Sequence, residues 1–319
     1  MKLLTNPFGK IIQTNNYNKE LDAVYMPVLS SRNLPVTDLK WLLQYAKEVV
    51  LLYSDKCADW SYNLNQRIRI EMVNKTSFYE KYMKRNENRN PSIKYRPDFD
   101  IPLKRSYALF DAQNNGYENI LFLDDDILMT EKNMRYGLSG LTNQKSIVGF
   151  HVTDYPDVST IDHIERIITN CTNTISMTGS CMFCNVRKID GDFPLLYNED
   201  LFFFMKQKNP NDIISGGTVI QREYYPWLSY DRIRHEQFGD IIYEAIKRRF
   251  LNPLLGRIDW NEEIQLRLER IERLQCCTFQ DHFTYALQAA YNGTKDIKKS
   301  ALERFLYDYQ FEEWVSIYL

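Results

Sequence analysis

This chain carries no large excess of acidic or basic residues. Its 40 Lys and Arg face 42 Asp and Glu, a formal net charge of −2 over 319 residues, so no global field draws it onto nucleic acid or an anionic membrane. Long apolar runs are missing too. No stretch approaches the ~18 apolar residues of a membrane span, and the opening M-K-L-L-T-N-P-F-G-K lacks the apolar core of a signal peptide. Six cysteines are too few for a disulfide scaffold at this length. Reduced thiols in a cytoplasmic protein are the simplest expectation. Cys181 and Cys184 form a C-x-x-C in an apolar stretch, and Cys276 and Cys277 are adjacent without the spacing of a zinc knuckle, so buried thiols are expected rather than zinc. There is no internal repeat and no low-complexity tract.

What is present is an alternation of short apolar runs with helical patterns. Runs at 21–28, 49–53 and 119–123 read as strands. Helical patterns at 38–47, 59–84 and 103–114 lie between and after them, with 85–102 as an Asn-, Arg- and Pro-rich loop. Residues 146–152 and 178–186 read as later strands. This pattern predicts an α/β protein, a three-layer sandwich around a mainly parallel sheet, over residues 1–230. From 231 the character changes to helical periodicity at 243–250, 261–277, 279–291 and 296–314. Asp259 to Glu263 forms an acidic helix start and Asn292-Gly293 a stop. Residues 231–319 are therefore expected to form a helical C-terminal extension.

The segment N-I-L-F-L-D-D-D-I-L-M, residues 119–129, ends a buried strand in three aspartates. Parallel sheets bind ligands beyond the carboxyl ends of their strands. Alternation along a strand would give Asp124 and Asp126 a common direction, and hard oxygen ligands of this kind suit Mg²⁺ or Mn²⁺ shared with substrate phosphates. An acidic loop capping the next helix is the plainer reading of the same residues. Four other features fall at or just after predicted strand ends: Arg32-Asn33, Asp55, Lys104-Arg105 and Glu199-Asp200.

Taken in order, P-V-L-S-S-R-N, S-D, K-R-S-Y-A-L-F-D-A-Q-N-N-G-Y, F-L-D-D-D, G-S-C-M-F-C-N-V-R and Y-N-E-D-L-F-F resemble the GT-A fold glycosyltransferases, over about residues 21–210. The resemblance implies a Rossmann-like fold and transfer of a sugar from a nucleoside-diphosphate donor to an acceptor hydroxyl. It also implies roles for particular residues. Asp124 and Asp126 would hold the ion and the ribose, with Asp125 beside them anchoring the loop. Lys104 and Arg105 would contact the diphosphate or base, Asp55 the base or ribose, and Arg32 a phosphate. Asp200 would be the general base of an inverting enzyme, with Glu199 beside the acceptor, and His235 a third metal ligand. For each the bland alternative is a cap, an exposed basic start or a surface ion pair. His151 is a candidate for the acceptor side, whereas His163 and His282 lie in helical patterns. The chain has no Q-x-x-R-W, so processive polysaccharide synthesis is not expected. Its F-G-D-I-I-Y-E-A-I helix resembles that of uncharacterised bacterial members.

Two rival readings remain open. A haloacid-dehalogenase-type phosphatase also uses aspartates after a strand, and Gly239-Asp240 with Glu244 imitates its second motif, although Leu128 stands where that motif needs a hydroxyl. A non-catalytic nucleotide- or sugar-binding module, with the helical tail docking a partner, is the other. Nucleic acid is not the expected partner, because K-R-R-F at 247–250 is a local patch and no basic stripe exists. Tyr307, Tyr309, Phe311 and Trp314 either pair with a second copy or finish the core.

Overall fold

The computed structural model describes residues 20–28, 36–54, 65–89, 100–142, 145–153, 159–170, 177–222, 225–278 and 280–309. Among them, eight strands share one sheet: β1 (Leu21–Pro27), β2 (Ala46–Tyr53), β3 (Ile68–Met72), β4 (Asn119–Leu123), β5 (Ile127–Leu128), β6 (Ile147–Thr153), β7 (Met177–Asn185) and β8 (Ile213–Gln221). Their order is β3-β2-β1-β4-β7-β6-β8-β5. The first four run parallel, β7 reverses against both β4 and β6, β8 runs with β6, and β5 reverses. The sheet is thus mainly parallel, as the strand–helix alternation implied.

Helices cover both faces, which is why β1, β2 and β4 read as continuous apolar runs. On one face α1 (Val36–Leu42) and α4 (Glu131–Thr142) pack Leu39, Leu42, Met134 and Leu138 against Val49, Leu51, Leu121 and Phe183. On the other, α2 (Ser77–Arg89) and α3 (Asp100–Asn114) pack Tyr82, Leu103 and Ala108 against Val50, Leu52, Ile120 and Met182. Cys181 faces the first core and Cys184 the second, so the two cannot share a metal. Burial raises both thiol pKa values well above the ordinary cysteine range.

Several local expectations are corrected. Within the polar pattern expected as one helix over 59–84, residues 68–72 form the edge strand β3. I-R-I-E-M alternates at period two, and Arg69 bonds Glu48, Glu71 and Asp111, which fixes the strand's polar face. The helix expected to 47 stops at Leu42, because Ala46 already pairs with Leu21 in the sheet. β8 was not anticipated; its sequence I-I-S-G-G-T-V-I-Q is interrupted by two glycines. Gly293 does not stop a helix: α9 (Asp281–Lys295) runs through it, and a Cβ there would lie 2.6 Å from the Arg234 carbonyl oxygen. That glycine serves close helix approach rather than termination.

The C-terminal helices α7 (Tyr230–Leu251), α8 (Trp260–Cys277), α9 and α10 (Lys299–Asp308) pack back on the sheet layer. Ser229 caps α7 through Arg232 N, and Asp259 caps α8 through Asn261 N at 3.0 Å. Phe202 of α6 (Glu199–Met205) joins Ile241, Ala245, Leu302 and Phe305 in one core cluster. Ile161 and Ile164 of α5 (Thr160–Thr169) join Ile271, Phe283 and Leu287 in another. Tyr309 finishes the core, since it is buried and donates to Asn86 Oδ1 at 2.7 Å, whereas Tyr307 is exposed. Phe311 and Trp314 lie outside the described residues. No helix among the described residues is long and apolar enough to cross a membrane.

Between these helices lies an ionic cluster, buried at Glu236, Asp240 and Arg267 and partly exposed around them. Asp162 and Glu165 of α5 and Glu236, Asp240 and Glu244 of α7 face Arg232, Arg267 and Arg270. Carboxylates outnumber guanidiniums. Burial, with Asp162, Glu244 and Glu236 adding to it against the pull of Arg267, pushes the Asp240 carboxyl up to about 7. The folded protein then keeps a proton that the unfolded chain gives up near 3.8. The stability this group contributes is therefore complete at the acid end and is lost as pH rises towards 7. Thermal melts across that window should show the Asp240→Asn variant lacking this part of the slope. An identical slope in both proteins would discard the assignment.

Candidate functional site

In the order β3-β2-β1-β4, β1 has β2 on one side and β4 on the other, so successive connections leave in opposite directions. A crevice opens at the carboxyl ends of β1 and β4, the ligand position of open α/β sheets. The aspartate triplet sits there. Asp124 keeps the sheet going for one more residue, its N–H donating to Ser180 O at 2.8 Å. The chain then turns: Ile127 N donates to Asp124 O at 3.2 Å, and Asp125 and Asp126 are the turn residues. Strand alternation therefore does not extend across the triplet. Asp124 and Asp126 differ in their partners.

Asp124 accepts from Arg105 Nη2 at 2.8 and 3.0 Å. Arg105, buried on α3, also donates through Nη1 to Glu199 Oε1 at the start of α6. Burial opposes the guanidinium's charge, but Asp124, Glu199 and Asp200 outweigh it and raise its pKa above the ordinary arginine value. Asp200 Oδ2 accepts from Gly179 N at 2.6 Å and Oδ1 from Leu201 N at 2.8 Å. Gly179 on β7 is needed for this approach, because a Cβ there would lie 2.8 Å from both Arg105 Nη1 and the Asp200 Cβ. Five residues from α3, β4, β7 and α6 thus meet in one cluster. The short spacing of K-R to D-D-D and the distant N-E-D were both visible in the sequence; Gly179 was visible only as the first residue of G-S-C-M-F-C-N-V-R.

Asp126 accepts from Gln221 Nε2 at 3.3 Å, and its carbonyl accepts from Arg222 N at 2.9 Å. Asp124 and Asp125 line a cavity of about 340 Å³ together with Trp41, Leu42, Met129 and Arg222. Trp41, Gln221 and Arg222 carried no sequence signal, since they come from α1 and the end of the unforeseen β8. Lys104 is placed differently from the expectation of a phosphate contact. It is buried, donates to Val28 O at 2.9 Å and pairs with Asp100, which also accepts from Ser54 Oγ. It ties the ends of β1 and β2 to the start of α3. Arg32 and Asp55 lie outside the described residues.

Among the described residues no group of three or more His, Cys, Asp or Glu side chains is placed to hold a metal. His235, half-buried on α7, is therefore not gathered with the aspartates into a three-residue ligand set. The acidic residues lining the cavity are Asp38, Asp124, which carries Arg105, Asp125 and Glu131, with Asp126 beside them bonded to Gln221. A Mg²⁺ or Mn²⁺ ion usually takes one or two carboxylates and completes its shell with water and substrate phosphates, so hard oxygen donors of the type present here are the chemistry it would need. Asp240 and Glu244, the second half of a phosphatase-like motif, both bond to Arg267 instead. His151 lies on β6, His163 is buried on α5, and His282 packs against Trp227 and Phe283.

No protein-family model matches the chain, and no curated protein matches it. Among solved structures, the glucosyl-3-phosphoglycerate synthase of M. tuberculosis aligns with a TM-score of 0.45 and 10% identity, covering 70% of this chain and 79% of that one.

Proposed function

We propose that the protein is a GT-A-type glycosyltransferase moving a sugar, a hexose in the first instance, from a nucleoside-diphosphate donor to an acceptor hydroxyl. The observation that carries this reading is the single cluster in which Arg105, Asp124, Gly179, Glu199 and Asp200 meet at the switch point of the sheet. One carboxylate face borders the cavity beside Trp41 and Arg222, where a nucleotide would lie. The other carboxylates, on α6, would serve the acceptor.

In this reading Arg105 acts as the fixed cation of the crevice. It neutralises part of the carboxylate charge that would otherwise repel a diphosphate. Asp124, held by Arg105 through both oxygens, would position the donor from the cavity wall that it shares with Asp125. A divalent ion held at Asp126 and Asp124 would supply charge neutralisation to the departing diphosphate. Asp200 would take the proton of the acceptor hydroxyl. Its two oxygens each accept one backbone N–H, which fixes the orientation of the carboxylate for that role. Glu199, locked on Arg105, would hold the acceptor side in place. Lys104 would act through the strand ends it ties together.

The test begins with thermal shifts of the full chain with UDP, GDP and their glucose and mannose conjugates, with and without MnCl2. A ligand at 100 times its dissociation constant stabilises by about 2.7 kcal/mol. Asp126→Ala should lose the manganese-dependent part of that shift. Asp200→Ala should keep it and lose transfer by about 10²–10⁴-fold. Transfer that survives both substitutions removes the role assignments. Nucleotide binding without turnover in the unaltered protein favours a binding module instead.

A further inference from the structure

The helical extension meets the candidate site at the turn that leads into α6. Asn198, the residue before Glu199, has φ 65° and ψ 27°. An L-residue at this left-handed conformation costs about 1–2 kcal/mol, least for Asn or Asp. Its side chain makes no capping bond to α6. Instead Asn198 Nδ2 donates to Asp240 Oδ1 on α7 at 3.0 Å.

The neighbouring residue shows how tightly α7 is seated there. A Cβ at Gly239 would lie 2.1 Å from the Tyr197 carbonyl oxygen and 2.8 Å from the Tyr197 carbonyl carbon. Backbone cannot move aside as a flexible side chain can, so only glycine permits this approach. A glycine inside a helix costs about 1 kcal/mol relative to alanine, which makes its position here informative. Asp240 is itself fixed from behind. Its second oxygen accepts from Arg267, which is fully buried and also donates to Gln237 Oε1 at 2.9 Å and Glu244 Oε1 at 2.6 Å. A continuous chain of contacts therefore runs from Arg267 through Asp240 and Asn198 to Glu199 and Asp200, and on to Arg105 and Gly179.

The geometry points to Gly239 and Asp240 as positioning residues that hold the Tyr197-Asn198 turn and so set the Glu199 and Asp200 carboxylates against Arg105 and Gly179. The helical extension is then part of the site's scaffold, and F-G-D is the sequence mark of that contact. Their consequence for catalysis rests on the reading of Glu199 and Asp200 given above; the seating itself does not.

Hydrogen exchange of the full chain, read by mass spectrometry without ligand, tests the seating. Above the pH at which Asp240 loses its proton, Asn198→Asp sets two carboxylates against each other, and Gly239→Ala forces the turn off α7. Each should speed exchange in peptides covering 177–185 and 197–205 by about tenfold or more, while β2 peptides stay as in the unaltered protein. The exchanged pair Asn198→Asp with Asp240→Asn reverses the hydrogen bond and leaves an oxygen for Arg267, so it should restore slow exchange. A merely structural loss would not be repaired by that exchange. Unchanged rates in the single variants, equal acceleration in β2, or no rescue in the pair would each overturn the proposal. An unaltered protein that binds no sugar nucleotide would remove the glycosyltransferase reading while leaving this exchange pattern to be judged alone.

Discussion

Replacing Arg105 with alanine is expected to cost the fold about 3–5 kcal/mol, the usual penalty for leaving a buried ionic partner unpaired. Asp124 and Glu199 both depend on this guanidinium, and their side chains are only 15% and 9% exposed. Asp200 adds a third negative charge to the same space. Removing the cation leaves those charges to repel one another where water screens them little. Arg105→Lys should recover only part of the loss, because an ammonium cannot span Asp124 and Glu199 as the fork of guanidinium nitrogens does. Urea denaturation monitored at several salt concentrations would measure this. Adding Glu199→Gln and Asp124→Asn to the alanine variant should return much of the stability by removing the stranded charges. If the alanine variant unfolds within about 1 kcal/mol of the parent, in the range of a surface pair, the cluster is open to water and the site as described does not exist.

The parts of the molecule legible beforehand were those where one local pattern met one tertiary demand. β1, β2, β4, β6 and β7 are apolar because helices cover both their faces, and an all-apolar run has few other solutions. The aspartates after Leu123 and the Glu199-Asp200 helix start were legible as chemistry because the carboxyl edge of a sheet gathers the residues that follow its strands. What escaped was decided by partners distant in sequence. β3 has a polar face only because Arg69 finds Glu48, Glu71 and Asp111. The turn at Asp125-Asp126 is fixed by a backbone bond from Ile127 to Asp124 and by pairing of β5 with β8, and no period-two pattern reveals it. Gly293 and Gly239 look alike on paper as helix interruptions, yet both are points where two backbones touch. Lys104 was legible as a cation near the crevice, but its burial against Val28 O shows that the cation serves the strand ends.

The second large effect is expected at Arg267. Its side chain is fully buried, with 0% exposure, and it bonds Asp240, Glu244 and Gln237 at once. Arg267→Ala leaves Asp240 and Glu244 with less compensation in a cluster already richer in carboxylates than in guanidiniums. It also opens a cavity where the arginine stem packed. Each effect alone costs several kcal/mol, and together about 4 kcal/mol or more is expected. The form of the unfolding curve carries the further information. Phe202 of α6 lies in one core with Ile241 and Phe305, and Ile161 and Ile164 of α5 lie in another with Ile271 and Phe283. Sheet layer and helical extension therefore share their interiors, and the variant should still melt in one transition at a lower temperature. Arg267→Met combined with Asp240→Asn and Glu244→Gln should recover most of the loss, since it fills the space and removes the charges together. Two separate transitions in the alanine variant, by circular dichroism and by tryptophan fluorescence, would show instead that the extension folds apart from the sheet; the site could not then depend on α7 for its shape.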